Sequence, residues 1–95
     1  MLALVTGASS GIGLQYVTQL ARDYHCDLLL VSNQEKELKE VAADLASQYG
    51  VKTNAHFADL SLPDAAEQLH DWCKAEGYVI DILINNAGVF FFNQY

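Results

Sequence analysis

Apolar residues in this chain fall into two patterns, short continuous runs and longer stretches at helical spacing, and the two alternate. Leu2-Ala3-Leu4-Val5-Thr6 is a continuous apolar run ending at Gly7, the pattern of a strand covered on both faces. Leu14, Val17, Leu20, Ala21 and Tyr24 then recur at helical spacing and predict a first helix to about Asp23. Asp27 to Ser32 is a second apolar run. Leu38, Val41, Ala42, Leu45, Ala46 and Tyr49 follow an i, i+3, i+4 repeat, with Glu37, Lys39, Glu40 and Asp44 on the opposite face. Gly50 stands where a left-handed cap would end that helix. Residues 51–58 predict a third strand, with His56 as a strand residue. Ser61-Leu62-Pro63-Asp64 reads as a helix start with Ser61 as N-cap and an early proline. The helix that follows turns Ala66, Leu69 and Cys73 inward and ends near Gly77. Residues 81–85 predict a fourth strand, followed by Asn86-Ala87-Gly88 and the apolar tail Val89-Phe90-Phe91-Phe92.

The resulting order, β-α-β-α-β-α-β, implies parallel strands joined by right-handed crossovers. The expected fold class is α/β, a Rossmann-like doubly wound parallel sheet with strand order 3-2-1-4. Strands 1 and 4 then lie side by side where the winding reverses, and their carboxyl ends form the ligand crevice. Gly7 and Asn86 leave those two strands, so both should meet there.

Composition narrows the picture mainly by exclusion. A chain of 95 residues with 52% hydrophobic content and a single proline is sized for one domain and is not built for disorder. No apolar run approaches the ~20 residues that span a bilayer, so no membrane association is expected, and no secretory leader is read at the start. Cytoplasmic localisation is the default that follows. A net charge of −7, from five basic and twelve acidic residues, argues against a nucleic-acid partner, which demands clustered Lys and Arg. Cys26 and Cys73 lack CxxC spacing and read as buried or half-buried free thiols. His25, His56 and His70 form no ligand pattern, so no metal site is expected.

The chemistry-bearing stretch is Thr6-Gly7-Ala8-Ser9-Ser10-Gly11-Ile12-Gly13, three glycines in GxxxGxG spacing between a predicted strand and a predicted helix. Gly7 lets the chain turn out of the strand, Gly11 lets backbone approach a pyrophosphate, and Gly13 lets the helix pack close to the sheet. The helix N-terminus adds unpaired N–H groups and partial positive charge. Ser9 and Ser10 offer hydroxyl donors. A P-loop is excluded, because GxxxxGK[ST] is absent.

TGASSGIG at 6–13, Asp59-Leu60 and NNAG at 85–88 together closely resemble the short-chain dehydrogenase/reductase family, specifically its compact members. The resemblance covers essentially the whole chain in order and spacing. It implies that Asp59 meets the adenine amino group with the Leu60 backbone beside it. It implies also that Asn86, Ala87 and Gly88 brace the central sheet and pass the cofactor ribose. An acid at the end of the second strand would bond a ribose 2′-hydroxyl and favour NAD. Ser32-Asn33-Gln34 stands there instead, and Ser10 occupies the place where NADP users often carry Arg or Lys. Ser32 and Asn33 are candidate donors to a 2′-phosphate, with Lys36 one turn on. The cofactor is therefore NADP or NAD, with NADP favoured.

The family's acid/base chemistry uses a serine and a Tyr-x-x-x-Lys pair. Tyr16, Tyr24, Tyr49, Tyr78 and Tyr95 all lack a lysine four places on, so no catalytic residue is expected in this chain. The resemblance implies the cofactor-binding N-terminal part of a longer enzyme that moves hydride between NAD(P)(H) and a small carbonyl or alcohol substrate, as a homo-oligomer. The 95-residue chain alone is expected to be inactive. A non-catalytic dinucleotide-sensing module is the alternative.

Overall fold

A computed structural model describes residues 1–9, 11–59 and 62–86. Ser10, Leu60, Ser61, Ala87 and Gly88, and the tail including Phe90 to Phe92, lie outside the described residues. The elements are β1 (Leu2–Thr6), α1 (Gly11–Tyr24), β2 (Asp27–Ser32), α2 (Glu35–Tyr49), β3 (Thr53–Phe57), α3 (Ala65–Ala75) and β4 (Ile82–Asn85). The four strands form one parallel sheet in the order β3-β2-β1-β4, as expected. The register aligns Thr6 with Val31 on one side and with Asn85 on the other, so β1, β2 and β4 finish level.

The continuous apolar runs resolve into two faces, because successive strand side chains point to opposite sides of the sheet. Ala3, Val5, Leu28 and Leu30 pack with Val17, Ala21, Leu38, Ala42 and Leu45 beneath α1 and α2. Leu4, Leu29 and Val31 face the other way, against Leu69 and Cys73 of α3. Both cysteines are free and buried, and burial pushes the Cys73 thiol upward, keeping it protonated and unreactive near neutrality.

Boundaries moved where a local interaction outweighed the apolar pattern. The third strand begins at Thr53, not residue 51: Val51 is already a core residue. The fourth begins at Ile82, because the Asp81 carboxylate accepts the Leu2 N–H at 2.9 Å in place of a ladder carbonyl. The helix start at Ser61 is corrected. Leu62 to Asp64 form a turn in which the Ala65 N–H donates to the Leu62 carbonyl, and Asp64 holds the cap position without a side-chain cap bond. The inward face of α3 is consequently Ala65, Leu69 and Cys73, with Ala66 only partly buried. Tyr24, read as part of the apolar face of α1, is 68% exposed, since it is the last helical residue before the chain turns back into β2.

All three helix ends reverse the chain in the left-handed region, α1 at His25, α2 at Gly50 and α3 at Gly77. Gly50 does so at φ 70° and donates its N–H to the Ala46 carbonyl. His25 does so at φ 51°, a conformation that crowds its Cβ. Gly50→Ala should therefore lower unfolding free energy by about 1 kcal/mol, and His25→Gly should raise it by a similar amount, both read from urea midpoints.

His56 on β3 stacks on Trp72 of α3, ring centroids 3.8 Å apart and planes 14° from parallel, and Trp72 leans on Tyr78 at 5.5 Å. Burial holds the His56 imidazole below its ordinary value. The folded state thus binds this proton more weakly than the unfolded chain does. The His56 contribution is fully present above about pH 6.5 and declines as pH falls through the lower folded value. Urea midpoints between about pH 7.5 and 5 should drop less for His56→Phe, which keeps the stack without the titration, than for the unsubstituted chain.

Candidate dinucleotide site at the sheet's carboxyl edge

Gly7 leaves β1 at φ 63° and its N–H reaches the Val31 carbonyl at 2.8 Å, so the loop starts as a continuation of the β1–β2 ladder. Ala8 is fully buried and Ser9 nearly so. Gly11 then opens α1 at φ 60°, and a Cβ there would meet nothing within 4 Å. Among the described residues, the space beside Gly11 is therefore open. The first turn of α1 carries no acidic residue, so its partial positive charge meets no carboxylate from within the turn. Ile12 is 58% exposed beside it.

Gly13 is the tightest point. A Cβ at this position would lie 2.0 Å from the Gly7 carbonyl oxygen and 2.9 Å from Asn86 Nδ2. One glycine thus lets α1, the loop after β1 and the residue after β4 share the same place. Thr6, fully buried, holds the last two together: its hydroxyl accepts the Asn86 N–H at 2.9 Å and donates to Asn85 Oδ1 at 3.1 Å.

The other half of the edge is closed by hydroxyls. Ser9 Oγ donates to Gln34 Oε1 at 2.7 Å and lies 2.9 Å from Ser32 Oγ. A serine hydroxyl has one proton. With that of Ser9 on Gln34, Ser32 must be the donor to Ser9. Ser32 Oγ also accepts the Gln34 N–H at 3.0 Å. Asn33 is exposed at the end of β2. The Ala58 N–H donates to the Ser32 carbonyl at 3.0 Å, which carries the β2–β3 pairing one step further and puts half-buried Asp59 at the same edge.

Gly7, Ser9, Gly11, Ile12, Gly13, Ser32, Asn33, Asp59 and Asn86 thus gather along one edge of the sheet. Ser10, Leu60, Ala87 and Gly88 are the candidates outside the described residues. Sequence reasoning passed over Gln34 as a ligand-site residue, and a side-chain bond to a residue 25 positions earlier leaves no periodic signal. Among the described residues no group of three or more His, Cys, Asp or Glu side chains is placed to hold a metal ion. No helix among them is long and apolar enough to cross a membrane.

Gly13→Ala should force backbone apart at Gly7, since carbonyl oxygen rather than a flexible side chain blocks the methyl. The expected loss is at least about 1–3 kcal/mol of unfolding free energy, whereas Gly11→Ala should cost only its left-handed strain of about 1–2 kcal/mol. Thermal melts of the pair check the order.

Comparison with known proteins agrees with this geometry. The family model described as short chain dehydrogenase matches residues 1–94. The very-long-chain 3-oxoacyl-CoA reductase of Anas platyrhynchos is 37% identical over 89 residues, covering 92% of this chain and 27% of that protein. Carbonyl reductase (NADPH) 1 of Rattus norvegicus is 33% identical over 90 residues, 95% of this chain and 32% of that one. Among solved structures, a short-chain dehydrogenase from Sphingobium yanoikuyae in complex with NADPH superposes with a TM-score of 0.82 at 41% identity, over 93% of this chain and 34% of that one. L-sorbose reductase from Gluconobacter frateurii, complexed with NADPH and L-sorbose, gives 0.82 at 32% identity, over 93% and 33%. The chain spans about a quarter to a third of the curated relatives it matches. By the family match along its length and by the loop, sheet order and strand ends that go with it, this chain belongs to the short-chain dehydrogenase family.

Proposed function

We propose that this chain binds the adenosine and pyrophosphate portion of a nicotinamide dinucleotide, NADP(H) in preference to NAD(H), for an oxidoreductase acting on a carbonyl or alcohol substrate. The observation that carries the reading is the cradle at Gly13. Helix α1 is drawn against the Gly7 carbonyl, and among the described residues nothing crowds its acid-free first turn at Gly11. Backbone N–H groups at that turn are the donors for a pyrophosphate, whose negative charge is favoured at a helix N-terminus.

Each remaining residue has a task in this reading. Asp59 accepts from the adenine amino group. The Thr6 hydroxyl, through its bonds to Asn86 and Asn85, sets where the chain leaving β4 passes the ribose. When bound, the nicotinamide supplies or accepts the hydride. The sequence has no Tyr-x-x-x-Lys pair, so these residues serve binding and orientation and do not move the substrate's proton. The preference for NADP(H) rests on the missing acid at the end of β2, which removes the repulsion a 2′-phosphate would meet, and on the NADPH complexes among the similar structures.

Calorimetric titration of the 95-residue chain with NADPH and NADH in parallel tests this. Saturable binding is expected, tighter for NADPH. Gly13→Asp should abolish it, and Asp59→Ala should weaken both cofactors by roughly 3- to 10-fold, the value of one hydrogen bond. A folded chain that binds neither cofactor, or binds equally well with Asp at position 13, would rule the reading out.

A further inference from the structure

Resting on that cofactor reading, we propose that Gln34, rather than Ser32, determines how this chain recognises the 2′-position of the adenosine ribose. Its carboxamide is anchored at one end on the phosphate loop and offers its other end as the donor to a 2′-phosphate.

The argument is a count of protons. Ser32 stands at the end of β2, where a hydroxyl looks like a ready donor to phosphate. Its proton is already spent, because Ser9 donates to Gln34 Oε1 and the 2.9 Å contact between the two hydroxyls then runs from Ser32 to Ser9. Both serines are buried, so neither hydroxyl turns outward without leaving a buried oxygen unpaired. The Ser9–Ser32–Gln34 network is therefore closed, and its hydroxyls hold the loop and strand end together.

What the network leaves over is the Gln34 amide nitrogen. Gln34 is exposed, sits at the head of α2 with φ −110° and ψ 79°, and makes no side-chain cap bond to its own helix. Its Oε1 is held by Ser9 and its backbone N–H by Ser32. Two attachments, 25 and two residues away in sequence, restrain the side chain and backbone. Among the described residues nothing accepts from Nε2, so its two N–H bonds are available at the mouth between the loop and β2. Asn33, next door and exposed, has no such anchor among the described residues, and its amide must be ordered by the ligand itself. A pre-positioned donor loses less freedom on binding.

Two substitutions separate the donor role from the anchoring role. Gln34→Glu keeps an oxygen to accept from Ser9 and replaces the donor by a charged acceptor. Gln34→Met removes both. Calorimetric titrations of the unsubstituted 95-residue chain and both variants would use NADPH, NADH, and the fragments adenosine 2′,5′-bisphosphate and 5′-AMP. Gln34→Met should weaken NADPH and the bisphosphate about tenfold while leaving NADH and 5′-AMP within about twofold, as for a charge-assisted hydrogen bond. Gln34→Glu should go further and invert the preference, so that NADH binds more tightly than NADPH. An unchanged ratio of the 2′-phosphorylated to the unphosphorylated ligands in both variants would overturn the proposal for Gln34 alone. So would an equal weakening of all four, which marks a purely structural residue. Absence of binding by the unsubstituted folded chain would overturn the cofactor reading as well. Unchanged far-ultraviolet circular dichroism and melting within a few degrees certify that the variants, altered at an exposed position, remain folded.

Discussion

Everything at the carboxyl edge of this sheet depends on how near α1 comes to the Gly7 carbonyl. A methyl group at Gly13 would lie 2.0 Å from that oxygen, well inside any tolerable contact, so glycine alone permits the approach. The approach does two things at once. It seats Val17 and Ala21 on Ala3, Val5, Leu28 and Leu30, completing one face of the core. It also brings the start of the helix, whose first turn carries no acidic residue, to the place where β1 and β4 end. Packing and the geometry of the proposed site are thus one constraint, and a change that loosens the helix would open the proposed phosphate site with it.

Parallel strands finishing level at one edge leave backbone groups that need partners, and here short polar side chains supply them. Thr6 ties β1 to the residue after β4, and Ser9 with Ser32 ties the loop to β2. Buried hydroxyls of this kind are costly unless paired, which is why each is paired. The pairing has a chemical consequence. Hydroxyls that close the fold cannot also serve as free donors, and in the proposed reading recognition passes outward to the Gln34 amide at the rim. The opposite, amino edge is closed more simply, by the Asp81 and Asp27 carboxylates accepting the Leu2 and Lys52 N–H groups.

Much of this was legible in the chain. The apolar runs of β1 and β2 matched the observed strands residue for residue, because strands buried on both faces admit little else. Gly50 ends α2 in the left-handed conformation its position suggested. Where local signals misled, a nearby group had offered the backbone another partner. Leu62-Pro63-Asp64 became a turn ahead of α3, and the strand reading at Asp81 failed because its carboxylate took the ladder's role. His25 gave no warning at all, since it reverses the chain without a glycine.

By itself the sequence determined the element order, the parallel sheet and the loop at 6–13, because those follow from periodicity and from glycine's missing side chain, both properties of neighbouring residues. Only the tertiary structure decided which hydroxyls are spent at the sheet's carboxyl edge and that the Gln34 amide nitrogen is left over among the described residues. Ser9 meets Ser32 and Gln34 across 23 and 25 positions, through a helix and a strand. Whether a side chain is donor, acceptor or already satisfied depends on what the fold brings within 3 Å of it, and no pattern along the chain carries that distance.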